Sequence, residues 1–191
     1  MGIIALVWII NFGISIWNAR VVGLMWAESI HYGGWTRIMA WMGAIMSAAG
    51  FTWCYSVIAG YIAYKIEYLT LEEVEVFFSL GYLLITPFVL TSGLLIWIDS
   101  LIQAWKRRDF VSGATAAWNT FAQIHNTYSA MKGIPTAFGK VEGFFGSKSK
   151  DSKVFIATLV IVVAILGILT TTAIVMKYAG SRKLPQPSTN V

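Results

Sequence analysis

The chain has 191 residues, of which 57% are hydrophobic and only 12% are charged, and its formal net charge is +5. Because soluble domains carry about 25% charged residues, this composition excludes an ordinary soluble protein. The net positive charge does not require nucleic acid, since membrane orientation and anionic lipid headgroups account for it. We therefore predict a lipid bilayer as the main partner, and no nucleic acid.

Four apolar blocks along the chain are long enough to cross a bilayer, for which about 20 helical residues suffice. Only helices and closed barrels satisfy backbone groups in lipid, and the blocks lack the alternation of period two that marks strands. We predict an all-α, polytopic integral membrane protein with about four transmembrane helices. The blocks cover residues 2–17 (with helix continuing to 26), 38–64, 74–98 and 154–176.

The third block carries helix signals at both ends. Thr70 and Glu73 have the spacing of a capping box, and Pro87 in the middle predicts a kink because it has no N–H to donate. Asp99 lies seven residues before Lys106, about 10 Å along a helix. That distance places Asp99 near the headgroup boundary. There we expect it to accept a hydrogen bond from Ser100 or to form an ion pair with a basic residue such as Arg20. We predict that the boundary charges anchor the helix rather than conduct ions; they are Asp99, Lys106, Arg107 and Arg108.

The connection between the third and fourth blocks contains a predicted amphipathic helix, residues 111–131, without formal charge. Its polar face lacks lysine, which is unusual for a helix on anionic lipid and favours packing against the bundle or another subunit. The glycines and lysines of 132–153 predict irregular chain. The chain thus divides into a three-helix membrane region, a cytoplasmic amphipathic helix with a Gly/Lys-rich loop, a fourth transmembrane helix and a disordered polar tail, at 1–108, 109–153, 154–177 and 178–191.

Lysine and arginine are unevenly distributed over the connections. With four crossings, the first and third connections share a side and hold ten of the fourteen basic residues. The positive-inside rule then places 106–153 in the cytoplasm and both termini outside.

Two faces within the membrane blocks are candidates for assembly or transport. In the first helix Asn11, Ser15, Asn18 and Arg20 form a polar face, because the first three are spaced four and three residues apart. Such a stripe turns away from lipid, either to hydrogen-bond other helices or to line a pore. In the second helix a small-residue face permits close helix packing, within the chain or between copies; it comprises Ala40, Gly43, Ala44, Ser47, Gly50 and Cys54.

No motif for catalysis is present. His31 and His125 lack a second ligand at metal spacing, and no P-loop, G-x-S-x-G or G-x-G-x-x-G occurs. Nine tryptophans fit an aromatic belt and core packing better than a cofactor site. We predict no enzyme activity, no metal site and no cofactor.

Three stretches resemble parts of small multi-span membrane proteins of tailed bacteriophages: NFGISIWNA (11–19), GGWTRIMAWMGAIMSAAGFTWCY (33–55) and WNTFAQIHNTYSA (118–130). The resemblance implies a bacterial inner membrane or a virion-associated membrane as the setting, and it implies no catalytic residue. Combined with the small-residue face, it leads us to expect a non-enzymatic scaffold or complex subunit that forms a homo-oligomer or joins other membrane subunits. The alternative is a pore or channel former, including a holin-like one.

Overall fold

The computed structural model describes residues 2–181, and the predicted all-α class is confirmed for this part of the chain. The polar tail from 182 onward lies outside the described residues. Five helices follow one another: α1 (Gly2–Tyr32), α2 (Gly34–Lys65), α3 (Leu71–Arg107), α4 (Phe110–Ser147) and α5 (Lys150–Ser181).

Four helices, namely α1, α2, α3 and α5, are long and apolar enough to cross a membrane. Their outward surfaces are lined with large hydrophobic side chains; Ile10 of α1 and Leu169 of α5, for example, are 52% and 58% exposed. Contiguous apolar surface of this extent is matched by hydrocarbon, not by water. The chain is therefore built as an integral membrane protein.

Short connections fold the helices into an up-and-down arrangement. The turn between α1 and α2 is made at Gly33, whose φ of +88° is readily available only to glycine. At the start of α3 the predicted capping box is confirmed, with Thr70 accepting from the Glu73 N–H and Glu73 accepting from the Thr70 N–H. The helix then continues through Pro87 to Arg107.

Helix α4 is longer than predicted. The irregular chain expected from 132 onward is wrong as far as Ser147, because this segment continues the helix through Pro135. Packing accounts for the difference, since Ala137 and Phe144 are 6% and 2% exposed. The glycines of this segment lower its helix propensity, and burial of these two side chains stabilises the helix despite them.

The position of α4 fits the expectation that this helix packs against the bundle. The helix runs antiparallel to α3 along its full length and does not lie apart from the bundle. Four contacts mark the register from one end to the other: Lys140 with Glu75, Ser129 with Tyr82, Gln123 with Leu90, and Thr120 with Trp97.

This register corrects the predicted placement of 106–153 on one cytoplasmic side. At 1.5 Å per residue the 38 residues of α4 extend about 57 Å. The connection at 108–109 and the connection at 148–149 therefore lie at opposite ends of the bundle. The basic residues before and after α4 lie at opposite ends of the bundle, and the orientation of the chain in a membrane stays a prediction.

All five helices contain a long stretch without Asp, Glu, Lys or Arg. The contacts between helices bring these stretches side by side, so they overlap in a common band across the bundle, which we call the uncharged band although Lys132 of α4 reaches into it. In α3 and α5 the stretch has the length of a bilayer core, about 34 Å. The stretches are 2–19, 38–64, 76–98, 110–131 and 154–176.

Candidate functional site

A cluster of polar side chains joins α1 to α2 inside the uncharged band. The Asn11 side-chain amide donates to the Gly50 carbonyl at 3.2 Å and to Cys54 Sγ at 3.4 Å. Ser15 Oγ donates to the Asn11 carbonyl at 2.8 Å, and Ser47 Oγ donates to the Ser15 carbonyl at 2.9 Å. In a bilayer these groups have no water to bond, so pairing them favours helix association.

Helix α5 completes the cluster and packs against both α1 and α2. Thr171 Oγ1 donates to Ser47 Oγ at 3.4 Å, and both residues are almost fully buried. About two turns along α2, the Tyr55 hydroxyl and Thr170 Oγ1 are 2.8 Å apart. We call this three-helix contact the polar junction; it comprises Asn11, Ser15, Ser47, Cys54 and Thr171.

Glycines at the polar junction let the helix backbones approach closely. A Cβ built on Gly50 would collide with Ser15 Oγ, and one on Gly43 would lie 2.6 Å from Val22 Cγ2. A Cβ on Gly167 would lie 2.7 Å from the Ala48 carbonyl oxygen. These contacts leave no room for a side chain, which explains the small residues in α2 and α5.

The predicted small-residue face of α2 is therefore used within the chain. Ala40, Ser47 and Cys54 are buried, and Gly43, Ala44 and Gly50 are half-buried, all beneath α1 or α5. Of the two uses predicted for this face, packing within the chain is the one that the contacts of Gly43 and Gly50 with α1 show.

The predicted polar face of α1 separates into two parts. Asn11 and Ser15 belong to the polar junction, whereas Asn18 is half-buried and Arg20 is exposed. The Arg20 guanidinium lies over the Trp17 ring at 5.4 Å and over the Tyr178 ring at 5.5 Å. This cation–π contact joins α1 to α5 near one edge of the uncharged band.

Asp99 has a partner that the sequence did not indicate. Its Oδ1 accepts a hydrogen bond of 2.7 Å from Trp35 Nε1, which joins the end of α3 to the start of α2. Neither Ser100 nor Arg20 takes this role, since Ser100 donates to the Trp97 carbonyl. Beyond Asp99, the basic residues Lys106, Arg107 and Arg108 are exposed.

A cavity of about 840 Å³ separates the α1–α2 pair from the α3–α4 pair. We call it the central cavity. It lies within the uncharged band and no sequence pattern pointed to it. Both apolar and polar side chains line it, among them Asn11, Trp53, Leu90, His125 and Asn126.

A second space of about 620 Å³ adjoins the central cavity along α4. We call it the basic groove, because it extends to Lys132 and Lys140. The two spaces have four wall residues in common: Ser79, Tyr82, His125 and Ser129. The two spaces therefore adjoin along α4, and the basic groove lies towards the end of the bundle that carries the 148–149 connection.

Charged groups in the connections stabilise the helix ends. Asp109 caps α4, and its hydrogen bonds from the backbone N–H and the hydroxyl of Ser112 hold the pKa of the carboxyl below its usual value. At the other end of α4, a hydrogen bond and the negative charge of Glu72 raise the pKa of Lys148.

Residues 2–181 contain no group of three or more His, Cys, Asp or Glu side chains placed to hold a metal ion. His125 stacks on Phe121 with ring centroids 6.2 Å apart. The side chain of His31 lies outside the described part of the structure.

Comparison with known proteins gives no match among family models, curated proteins or solved structures.

Proposed function

We propose that the protein is a non-enzymatic subunit of a membrane assembly that crosses the bilayer five times and associates with further copies through α4. The observation that carries the proposal is the position of α4 beside α3. A helix that is not among the four apolar enough to cross alone is held at the depth of the uncharged band mainly by α3.

The exposed side of α4 supports an interface at this helix. Helix α4 packs mainly on α3, so most of its circumference has no partner within the described chain. Large side chains cover this surface, which we call the outer face of α4; they are Trp118, Phe121, Ile124, Tyr128 and Met131, each more than half exposed. Broad rings of this kind are enriched where protein surfaces meet.

A second copy is the occupant we propose for the outer face. Helices in lipid associate through packing and polar contacts, because lipid is as apolar as their side chains. The small-residue face of α2 is already occupied, and α4 is the most polar of the five helices. Two copies joined through the same face give a closed two-fold interface, the commonest arrangement of soluble oligomers.

The proposed location is the bacterial inner membrane or a virion-associated membrane, as the resemblance to phage membrane proteins implies. Mass spectrometry of purified virions and of infected-cell inner membranes distinguishes these two locations.

Disulfide cross-linking in native membranes tests the assembly. In a Cys54→Ser background, Trp118→Cys should yield dimers on oxidation, because the outer faces of two α4 helices meet. Ile161→Cys is the matched control, since Ile161 is 55% exposed but lies on α5. Equal cross-linking at both positions, or none at Trp118→Cys, contradicts an interface at α4.

Pore formation is the alternative function, and the geometry gives it less support. The polar face of α1 that would line a pore directs Asn11 and Ser15 into the polar junction. A pore predicts ion leakage from proteoliposomes that Asn11→Leu combined with Asn18→Leu reduces. Leakage equal to that of empty vesicles rejects this alternative.

A further inference from the structure

We propose that the central cavity and the basic groove together bind one anionic phospholipid, with an acyl chain in the cavity and the phosphate at Lys132. This site goes beyond the proposed assembly, which requires only the outer face of α4. The proposal rests on the size, the lining and the depth of the two adjoining spaces.

The central cavity has the size and the walls of a site for an apolar ligand. Pockets that bind small molecules measure about 300–1,000 Å³ and are mostly apolar, with a few polar groups. The cavity falls within this range at about 840 Å³, and apolar side chains line it from both helix pairs: Val7 and Met46 from α1 and α2, and Ile85, Val89 and Leu90 from α3. These side chains offer an acyl chain the surroundings that it has in hydrocarbon.

Lys132 is the charge that reaches deepest into the band from its end of the bundle. It lies eight residues before Lys140, about 12 Å along α4, whereas Lys140 pairs with Glu75 at the edge of the band at 2.7 Å. Lys132 Nζ lies 4.4 Å from the centroid of the Tyr128 ring. Within residues 2–181 no carboxylate forms an ion pair with Lys132.

A cation at this depth requires an anion or water nearby, because hydrocarbon does not solvate it. Lys140 is neutralised by Glu75. Lys132 is therefore the cation of the groove that is available to a phosphate. A lysine near an anionic headgroup is favourable, and its long stem can rise towards the membrane surface.

The depth of the two spaces identifies the ligand as a membrane lipid. The lining residues from α2 and α3 fall within 38–64 and 76–98, the uncharged stretches that face hydrocarbon. A molecule that enters from the side at this depth comes from the bilayer. A phospholipid provides both the apolar chain and the phosphate that the two spaces fit.

The first test measures lipid retained by the purified protein. The protein is reconstituted with equal amounts of phosphatidylglycerol and phosphatidylcholine, washed in mild detergent, and its bound lipid is quantified by mass spectrometry. We expect phosphatidylglycerol to be enriched, and Lys132→Gln to reduce its affinity about fivefold. Lys65→Gln is the matched control, because Lys65 also lies over a tyrosine four residues earlier, Tyr61, at the same end of the bundle.

The second test fills the cavity. A Cβ on Gly81 meets no atom within 4 Å, and Gly81 lines the central cavity. Gly81→Leu should therefore fold normally and lose retained phosphatidylglycerol. Gly113→Leu is the control, because Gly113 is equally open but lies outside the cavity. Unfolding temperatures of both variants, measured beside lipid retention, verify the fold.

Three results overturn the lipid site. Equal losses of retained phosphatidylglycerol in Lys132→Gln and Lys65→Gln mean that lysines attract the lipid only at the membrane surface. Undiminished retention in Gly81→Leu means that no acyl chain occupies the cavity. Unchanged phosphatidylglycerol retention in Lys132→Gln means that Lys132 does not bind the phosphate. If Lys132→Gln also abolishes cross-linking through Trp118→Cys, Lys132 belongs to the subunit interface.

Discussion

The α1–α2–α5 contact and the α3–α4 contact hold helices together within the band by different kinds of side chain. The first brings backbones together over glycines and pairs short polar side chains inside the band, as Ser47 does with Ser15. The second connects two helices through long side chains such as Trp97 and Gln123, and its ion pairs are at one end.

The two contacts also differ in completeness. At the polar junction the buried hydroxyls of Ser15, Ser47 and Thr171 all have partners. In α3 and α4, Ser92 Oγ and Gln123 Oε1 are each buried without a hydrogen-bond partner in the described chain. The polar junction is thus fully paired, whereas α3 and α4 each retain one buried polar atom without a partner.

The largest effect is expected where helix backbones are closest. Gly167→Leu should destabilise the protein by about 3 kcal/mol or more, because its Cβ would lie 2.7 Å from the Ala48 carbonyl oxygen. Thermal unfolding in mild detergent measures the loss. Gly180→Leu on the same helix is the control, since a Cβ there meets no atom within 4 Å. Similar unfolding temperatures for the two variants contradict close packing of α5 on α2.

A smaller effect is expected from one hydrogen bond of the polar junction. Asn11→Leu should cost about 1 kcal/mol, because it removes the donor to the Gly50 carbonyl and to Cys54 Sγ. Equilibrium unfolding in mixed micelles gives the free energy. Asn18→Leu is the control, since residues 2–181 provide no side-chain hydrogen bond to Asn18. If Asn18→Leu lowers the free energy of unfolding more than Asn11→Leu does, the polar junction is not the contact that holds α1 to α2.

Removing one ion pair from the α3–α4 contact should have less effect still. Lys140 and Glu75 are about half exposed, so Lys140→Ala should cost about 0.5 kcal/mol at low salt and less at high salt. A double-mutant cycle with Glu75→Ala isolates the pair. A coupling energy that does not change with salt contradicts an exposed ion pair.

The smallest effect concerns the cap of α4 and depends on pH. The pKa of Asp109 is lowered in the folded state, so its stabilising contribution is present above the usual carboxyl pKa and is lost as pH falls through the lowered value. Hydrogen exchange of 110–113, corrected for intrinsic rates, should accelerate on acidification. Asp109→Asn should remove this pH dependence; if the dependence persists, another group is responsible.

The opposite sign applies at the far end of α4. The pKa of Lys148 is raised by Glu72, so its contribution is present below the usual lysine pKa and is lost as pH rises through the raised value.

The apolar helices and their ends could be predicted from the sequence, because long uncharged blocks and capping residues act locally. The capping box at Thr70 is an example, since its two partners are three residues apart. Part of both faces was also identified, since Asn11 and Ser15 of α1 and Ser47 and Cys54 of α2 meet in the polar junction. Their partners were not, since spacing says nothing about which helix a face meets.

The position of α4 could not be predicted for a related reason. Its polar residues and its lack of charge fit a helix beside a membrane as well as one inside a bundle. Only long-range contacts such as Tyr82 with Ser129 distinguish these positions. The central cavity is likewise a product of tertiary packing, and the Trp35–Asp99 bond joins residues 64 apart in the chain.

Accessibility of the two ends of α4 tests the central claim most directly. In a Cys54→Ser background, single cysteines Phe110→Cys and Ser149→Cys are labelled with a membrane-impermeant maleimide in intact cells and in inverted vesicles. We predict that the two cysteines react from opposite sides of the membrane, because α4 crosses beside α3. Labelling of both from the same side would contradict the five-crossing arrangement.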